Sequence, residues 1–308
     1  MMELHKDLKS KRELADITAS QYIRSLYSLN SSRSFTNLAW LKNVESVENR
    51  LSEYAESTQK TLLSTIVSTL SLLNEKASYK KIFAYWYNKM MDKSVSARNQ
   101  DTSRKSQRQE DNWLSWDIVK AHENRLKTDA NNALRHEYIN QNGWNTILSY
   151  MVLSLYTQFA PRRNQDYQYM LVVKSDKQAN DPESNYYVTD DHKFIFNKYK
   201  TSRNHGAQIF DVPDDLVSII NLYLLKHPGT KKGPYYFLVN YDGSMLPSVN
   251  SITRILNRIF GKNVGATMLR HIYLSSKYDV SEMNEDAEKM GHTSGMQHEY
   301  MKVDIPTI

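Results

Sequence analysis

Met268-Leu269-Arg270-His271-Ile272-Tyr273, then Met290-Gly291-His292-Thr293-Ser294, then Tyr300, follow one another near the end of this 308-residue chain. Arginine offers a planar, permanently charged fork that fits two oxygens of a phosphate. A histidine adds a hydrogen-bond donor, and a tyrosine phenol is a potential nucleophile. The array is therefore suited to holding a phosphodiester and attacking it. Working outward, Pro161-Arg162-Arg163-Asn164-Gln165-Asp166-Tyr167 supplies a second arginine fork, and Asn197-Lys198-Tyr199-Lys200-Thr201 supplies lysines in a hairpin-like stretch. Taken singly, each motif has a bland explanation: a surface patch, a solvated lysine, a helix cap, a packed tyrosine. The information lies in their order and their joint occurrence.

The wider chain fits such a role. Its length suggests two domains. A hydrophobic content of 40% with 24% charged residues describes a globular protein with material for real cores. The net charge of +6 suggests a polyanionic partner. The absence of cysteine excludes disulfides, a thiolate nucleophile and Cys-ligated metals. No signal-like apolar core opens the chain, and its most apolar runs, 61–73 and 147–160, are too short and too polar to span a bilayer, so a membrane role is not expected.

Residues 1–92 are expected to be helical. Leu14, Ile17, Ile23, Leu26 and Leu29 recur near helical spacing, as do Leu62, Ile66, Leu70 and Leu73. Residues 93–112 are almost wholly polar and read as an exposed linker, whose Arg98, Arg104, Lys105 and Arg108 suit phosphate contact. In region 113–308, Ser115 is expected to cap a helix at Trp116, and a second helix over about 144–159 leads to the arginine pair. Strands are expected at 169–173, 186–189, 194–197 and 208–212, with a helix opened by Pro213-Asp214-Asp215. The fold class is mainly α with a small antiparallel β-sheet.

These motifs resemble those of the tyrosine recombinase (phage integrase) family, well over about 145–302 and more loosely at Thr18, Tyr22 and Leu26 in the N-terminal helices. The resemblance makes Arg163 the first catalytic arginine, with Asp166 three residues on to orient an arginine, and Arg162 the alternative one register back. It makes Lys200, in Lys-Thr form, the general acid, with Lys198 the runner-up on the same strand face. It makes Arg270 the second arginine, His292 the Gly-His donor and Tyr300 the nucleophile. Where the family has histidine or lysine before Leu-Arg-His, this chain has Thr267, which can hydrogen-bond but leaves the general base open, and His271 reads as structural. Tyr300 stands eight positions after His292, one short of the common spacing. With 301–308 alone following it, no long C-terminal exchange helix is expected.

The implied activity is metal-independent and cofactor-free cleavage and rejoining of double-stranded DNA through a 3′-phosphotyrosyl intermediate. The implied setting is an integrase of a virus or other mobile element, acting inside the cell at DNA (host nucleus or cytoplasm if viral), as a homo-tetramer on two duplexes. A type IB topoisomerase or telomere resolvase would use the same chemistry, and a catalytically inactive DNA-binding relative would keep the fold.

Overall fold

The computed structural model describes residues 1–98, 105–229, 233–276, 286 and 289–291, the last helical turn before residue 99 as backbone only. The chain divides into two compact units, Met1–Asp101 and Thr102–Ile308.

The first unit is helical: α1 (Met2–Lys11), α2 (Asp16–Leu29), α3 (Val44–Ser52), α4 (Glu56–Leu70) and α5 (Ala77–Arg98). Leu62, Ile66 and Leu70 share one buried face of α4, and the helix is buried on all sides from Thr65 to Leu70. They meet Leu26, Leu29, Leu41, Leu51 and Trp86 in a single core. The indole of Trp86 donates to the Leu41 carbonyl at 3.1 Å, so the large ring is buried without an orphaned N–H. The α2 stripe is narrower than its spacing suggests: Leu14 precedes the helix and Ile17 is 80% exposed.

The second unit contains α6 (Gln107–Asn112), α7 (Trp116–Leu134), α8 (Gln141–Thr157), α9 (Asn164–Gln168), β1 (Leu171–Val173), β2 (Asn185–Val188), β3 (Lys193–Phe196), α10 (Ser202–His205), β4 (Gln208–Asp211), α11 (Asp214–Leu225), β5 (Tyr235–Tyr236), α12 (Asn250–Phe260) and α13 (Ala266–Ser276). Helix α8 is buried almost along its whole length and packs against α7, α11 and α12. Its Asn140 cap accepts from the Gly143 N–H at 2.9 Å, and Ser115 caps α7 in the same way.

Two expectations change. The sheet, ordered β4-β3-β2-β1-β5, is mixed: β1 and β2 pair in parallel and the other neighbours antiparallel. Eleven residues separate β1 from β2, including the short 3₁₀ turn Asp176–Gln178. That excursion is long enough to bring the chain back to its starting edge, which a tight hairpin cannot do. The described parts of the stretch 93–112, on either side of 99–104, are also more helical than an open linker. Helix α5 runs on through Arg98, and α6 carries a Ser106–Gln109 capping box.

Candidate active site

Helix α8 ends at Thr157, and the chain turns through Phe159-Ala160-Pro161 to deliver the two arginines at the mouth of α9. Arg163 is the N-cap residue of α9 and is extended (φ −76°, ψ 150°). In an extended segment neighbouring side chains diverge, so the pair splits.

Arg162 turns inward and is fully buried. Its Nε donates to Asp166 Oδ2 at 3.0 Å and its Nη1 to Gln208 Oε1 at 3.1 Å, and Nη1 also reaches the Lys289 carbonyl. The guanidinium lies 3.8 Å from the centre of the Phe196 ring. Phe196 and Gln208 are cross-strand partners in β3 and β4, so the sheet presents a flat apolar floor beside a polar acceptor. Burial pushes the Asp166 carboxyl above its ordinary range, against the pull of Arg162, Arg163 and Arg270.

Arg163 turns the other way and lines a cleft of about 550 Å³ with Arg270, Arg108, Thr267 and His271. Its Nη1 is buried and has no hydrogen-bond partner among the described residues. Arg270 projects from α13, is 1% exposed, and has Nη2 3.5 Å from the Met290 carbonyl. Among the described residues no carboxylate lines this cleft; its other polar walls are amides and hydroxyls such as Asn164, Asn250, Thr253 and Asn263. The first turns of α12 and α13 border it at Asn250 and at Ala266–Met268, and helix N-termini favour anions. Asn164 fixes the rim: its Oδ1 accepts from the Tyr156 hydroxyl at 2.8 Å, and its Nδ2 donates to Thr253 Oγ1 at 2.8 Å and to the Val249 carbonyl at 3.1 Å.

A small apolar cluster of Ala160, Leu274 and Met290 binds the arginine segment, α13 and residues 289–291 together. Gly291 has φ +69°, and a Cβ there would stand 3.1 Å from Arg162 Nη2 and from the Tyr199 ring, so any larger residue would be strained in its backbone and would crowd both side chains.

Lys200 is exposed, in the connection between β3 and β4, and is not among the residues lining the cleft. Strand β3 stops at Phe196, so the strand alternation expected to put Lys198 and Lys200 on one face does not extend to them. Lys198 is paired with Glu183 at 2.6 Å. Next to Lys200, the Thr201 hydroxyl donates to the Gly291 carbonyl at 2.6 Å. His292, Tyr300 and Arg104 lie outside the described residues, as does the side chain of Arg98. Lys105 Nζ sits 4.3 Å over the Trp113 ring.

Asn185 was not singled out by the motifs. Its Nδ2 donates to the Asp166 and Lys198 carbonyls, both at 2.9 Å, and its Oδ1 accepts from the Lys198 N–H at 2.8 Å. An asparagine heading the run Tyr186-Tyr187-Val188 is a poor strand former in a buried place, and that mismatch was the available signal. Among the described residues no group of His, Asp and Glu side chains is arranged to hold a metal, and no helix is long and apolar enough to cross a membrane.

No family model matches the chain, and no curated protein matches it. Among solved structures, one of XerA recombinase aligns over 98% of this chain and 92% of its own at 12% sequence identity, with a TM-score of 0.42. At that level of likeness, the reading of the site rests on the residues themselves.

Proposed function

We propose that this chain is a DNA strand-cleaving and rejoining enzyme of the tyrosine recombinase type, acting through a covalent phosphotyrosyl intermediate. The observation that carries the reading is the cleft in which Arg163 and Arg270 converge with no carboxylate among the described residues of its walls. Two cations facing such a cavity favour an anion whose charge grows in the transition state, such as a phosphodiester under attack.

In this reading Arg163 and Arg270 hold the non-bridging oxygens, with Thr267 and His292 hydrogen-bonding to them. Tyr300 attacks phosphorus, the bond to the 5′ oxygen breaks, and Lys200 protonates that oxygen as it leaves. General acid assistance of this kind contributes on the order of a hundredfold to ten-thousandfold. The described tyrosines near the cleft suit the nucleophile's role poorly. Burial raises the Tyr156 and Tyr167 hydroxyls well above their ordinary range, and the Tyr273 hydroxyl donates to Asp286 at 3.0 Å. The Arg162–Asp166 pair fixes the segment that carries Arg163, and His271 lines the wall. Arg98, Arg104, Lys105 and Arg108 are the DNA-backbone contacts of the segment joining the two units. The helical unit 1–92 binds the duplex, and the working assembly is a homo-tetramer on two sites of a mobile or viral element.

The test uses a pool of duplexes with randomised flanks around one scissile phosphate and a nick just 3′ of it, so that the cleaved end diffuses away. The native chain leaves a denaturation-resistant protein–DNA adduct, and Arg163→Ala and Arg270→Ala abolish it while folding normally. Adduct formation that survives both substitutions contradicts the reading. A relaxation assay on supercoiled DNA without a specific site separates a type IB topoisomerase from a site-specific recombinase.

A further inference from the structure

The connection between β3 and β4 is clipped to the segment 289–291 at two points, and the start of β4 is linked to the same segment through Arg162. The Thr201 hydroxyl donates to the Gly291 carbonyl at 2.6 Å. The Tyr199 ring lies against the bare Cα face of Gly291, with its own hydroxyl donating to the Gly206 carbonyl at 2.9 Å. Below them, Arg162 bridges Gln208 at the start of β4 to the Lys289 carbonyl. Lys200 stands between Tyr199 and Thr201 and is itself exposed, so its own side chain does little to fix where it sits. A lysine on a short turn has wide rotational freedom, and a general acid must come within hydrogen-bond reach of the atom it protonates. What limits the reach of Lys200 is therefore the anchoring of the residues on either side of it.

We propose that Thr201 is the positioning residue for Lys200: its bond to the Gly291 carbonyl docks the lysine turn onto the segment that leads into His292. The inference rests on the proposed role of Lys200 as general acid. In the step concerned, the Tyr300 oxygen bonds to phosphorus as its phenolic proton passes to water. The bond from phosphorus to the 5′ oxygen breaks, and that oxygen takes a proton from the Lys200 ammonium. A sulfur in place of the 5′ oxygen leaves as a stable thiolate and needs no such proton. A fault confined to delivery of the proton is therefore erased by sulfur, whereas a fault in folding, in phosphate binding or in the nucleophile is not.

The experiment compares Thr201→Val, which keeps the shape and loses the hydroxyl, with Thr201→Ser, which keeps the hydroxyl. Both are assayed on the nicked pool carrying either oxygen or sulfur at the bridging 5′ position. Thr201→Val is expected to lose on the order of a hundredfold in cleavage rate on the oxygen pool, the scale of a small misplacement of a catalytic group. It is expected to recover to the native rate on the sulfur pool, while Thr201→Ser stays near native on both. Recovery on sulfur also shows that the variant is folded. Equal loss on both pools, or no loss on oxygen, overturns the proposal and leaves the strand-cleavage reading standing. A native chain that forms no adduct on either pool overturns that reading, and this inference with it.

Discussion

Arg162 and Arg163 are neighbours in sequence and differ in burial and in partners. Arg162 is fully buried, with a carboxylate, an amide and a carbonyl as partners and an aromatic floor, whereas the half-buried Arg163 lines the cleft; each keeps one buried Nη atom with no hydrogen-bond partner among the described residues. Removing one member of a buried ion pair strands the other, at a cost of about 3–5 kcal/mol. Arg162→Ala is therefore expected to lower the denaturant midpoint sharply. Arg163→Ala is expected to leave it nearly unchanged while abolishing cleavage. Chemical unfolding beside the adduct assay checks both, and the reverse pattern would exchange their roles. The sequence showed the pair and the spacing to Asp166, but not which arginine faces in, because that depends on the backbone direction at the end of α8. A second expectation concerns the phenols. Burial raises Tyr150 and Tyr187 to about 12. The unfolded chain releases these protons near pH 10, so their neutral forms favour the folded state fully below that and lose the advantage as pH rises toward 12. Phenolate absorbance during an alkaline titration should lag for these residues, with stability falling across the same range. Full ionisation near pH 10 without unfolding would contradict their burial.

Helix α6 shows what a capped six-residue segment can do for a surface that composition alone describes as open chain. Its C-terminal Asn112 accepts from the Asn263 N–H at 2.8 Å, and Lys262 reaches the Asp111 carbonyl at 3.2 Å, so α6 is fastened to the loop between α12 and α13. Arg108 thereby joins the wall of the cleft. Neutralising Arg108 should flatten the dependence of log affinity on log salt by about 0.9 for each phosphate it no longer neutralises. Asn112→Ala should produce part of the same change without removing a charge. Salt titrations of binding to a random-sequence duplex read both, and unchanged slopes would make α6 a solvated surface. Elements with local signals were legible in the chain itself: Ser115 before α7, Pro213-Asp214-Asp215 before α11, and the β-rich runs that became β1 to β4. The parallel pairing of β1 with β2 was not, since both strands are short and buried, and the turn residues between them, such as Ser175-Asp176 and Asn180-Asp181-Pro182, mark turns without fixing the direction of the strand that follows. The capping box of α6 was written in Ser106 and Gln109, yet the polar composition around it outweighed a two-residue signal.

Over the whole molecule, each unit owns a core: one around Ile66, Leu70 and Trp86, the other around α8 with the inner face of the sheet. Separate chains of residues 1–101 and 102–308 should each unfold cooperatively in circular dichroism. A fragment that melts without a transition would show that its core needs the other. Length alone suggested two domains, and the chain divides into Met1–Asp101 and Thr102–Ile308. The meeting of Arg163 with Arg270 could only emerge from the fold, because more than a hundred residues separate them in the chain. The central claim is that this cleft passes a phosphoryl group to a tyrosine. Its most direct test is peptide mapping of the adduct formed on the nicked duplex pool. A nucleotide attached through its 3′ phosphate to Tyr300 is expected, and no adduct from Tyr300→Phe. An adduct on Tyr273 or Tyr278, an unaltered yield from Tyr300→Phe, or no adduct from the native chain would contradict it.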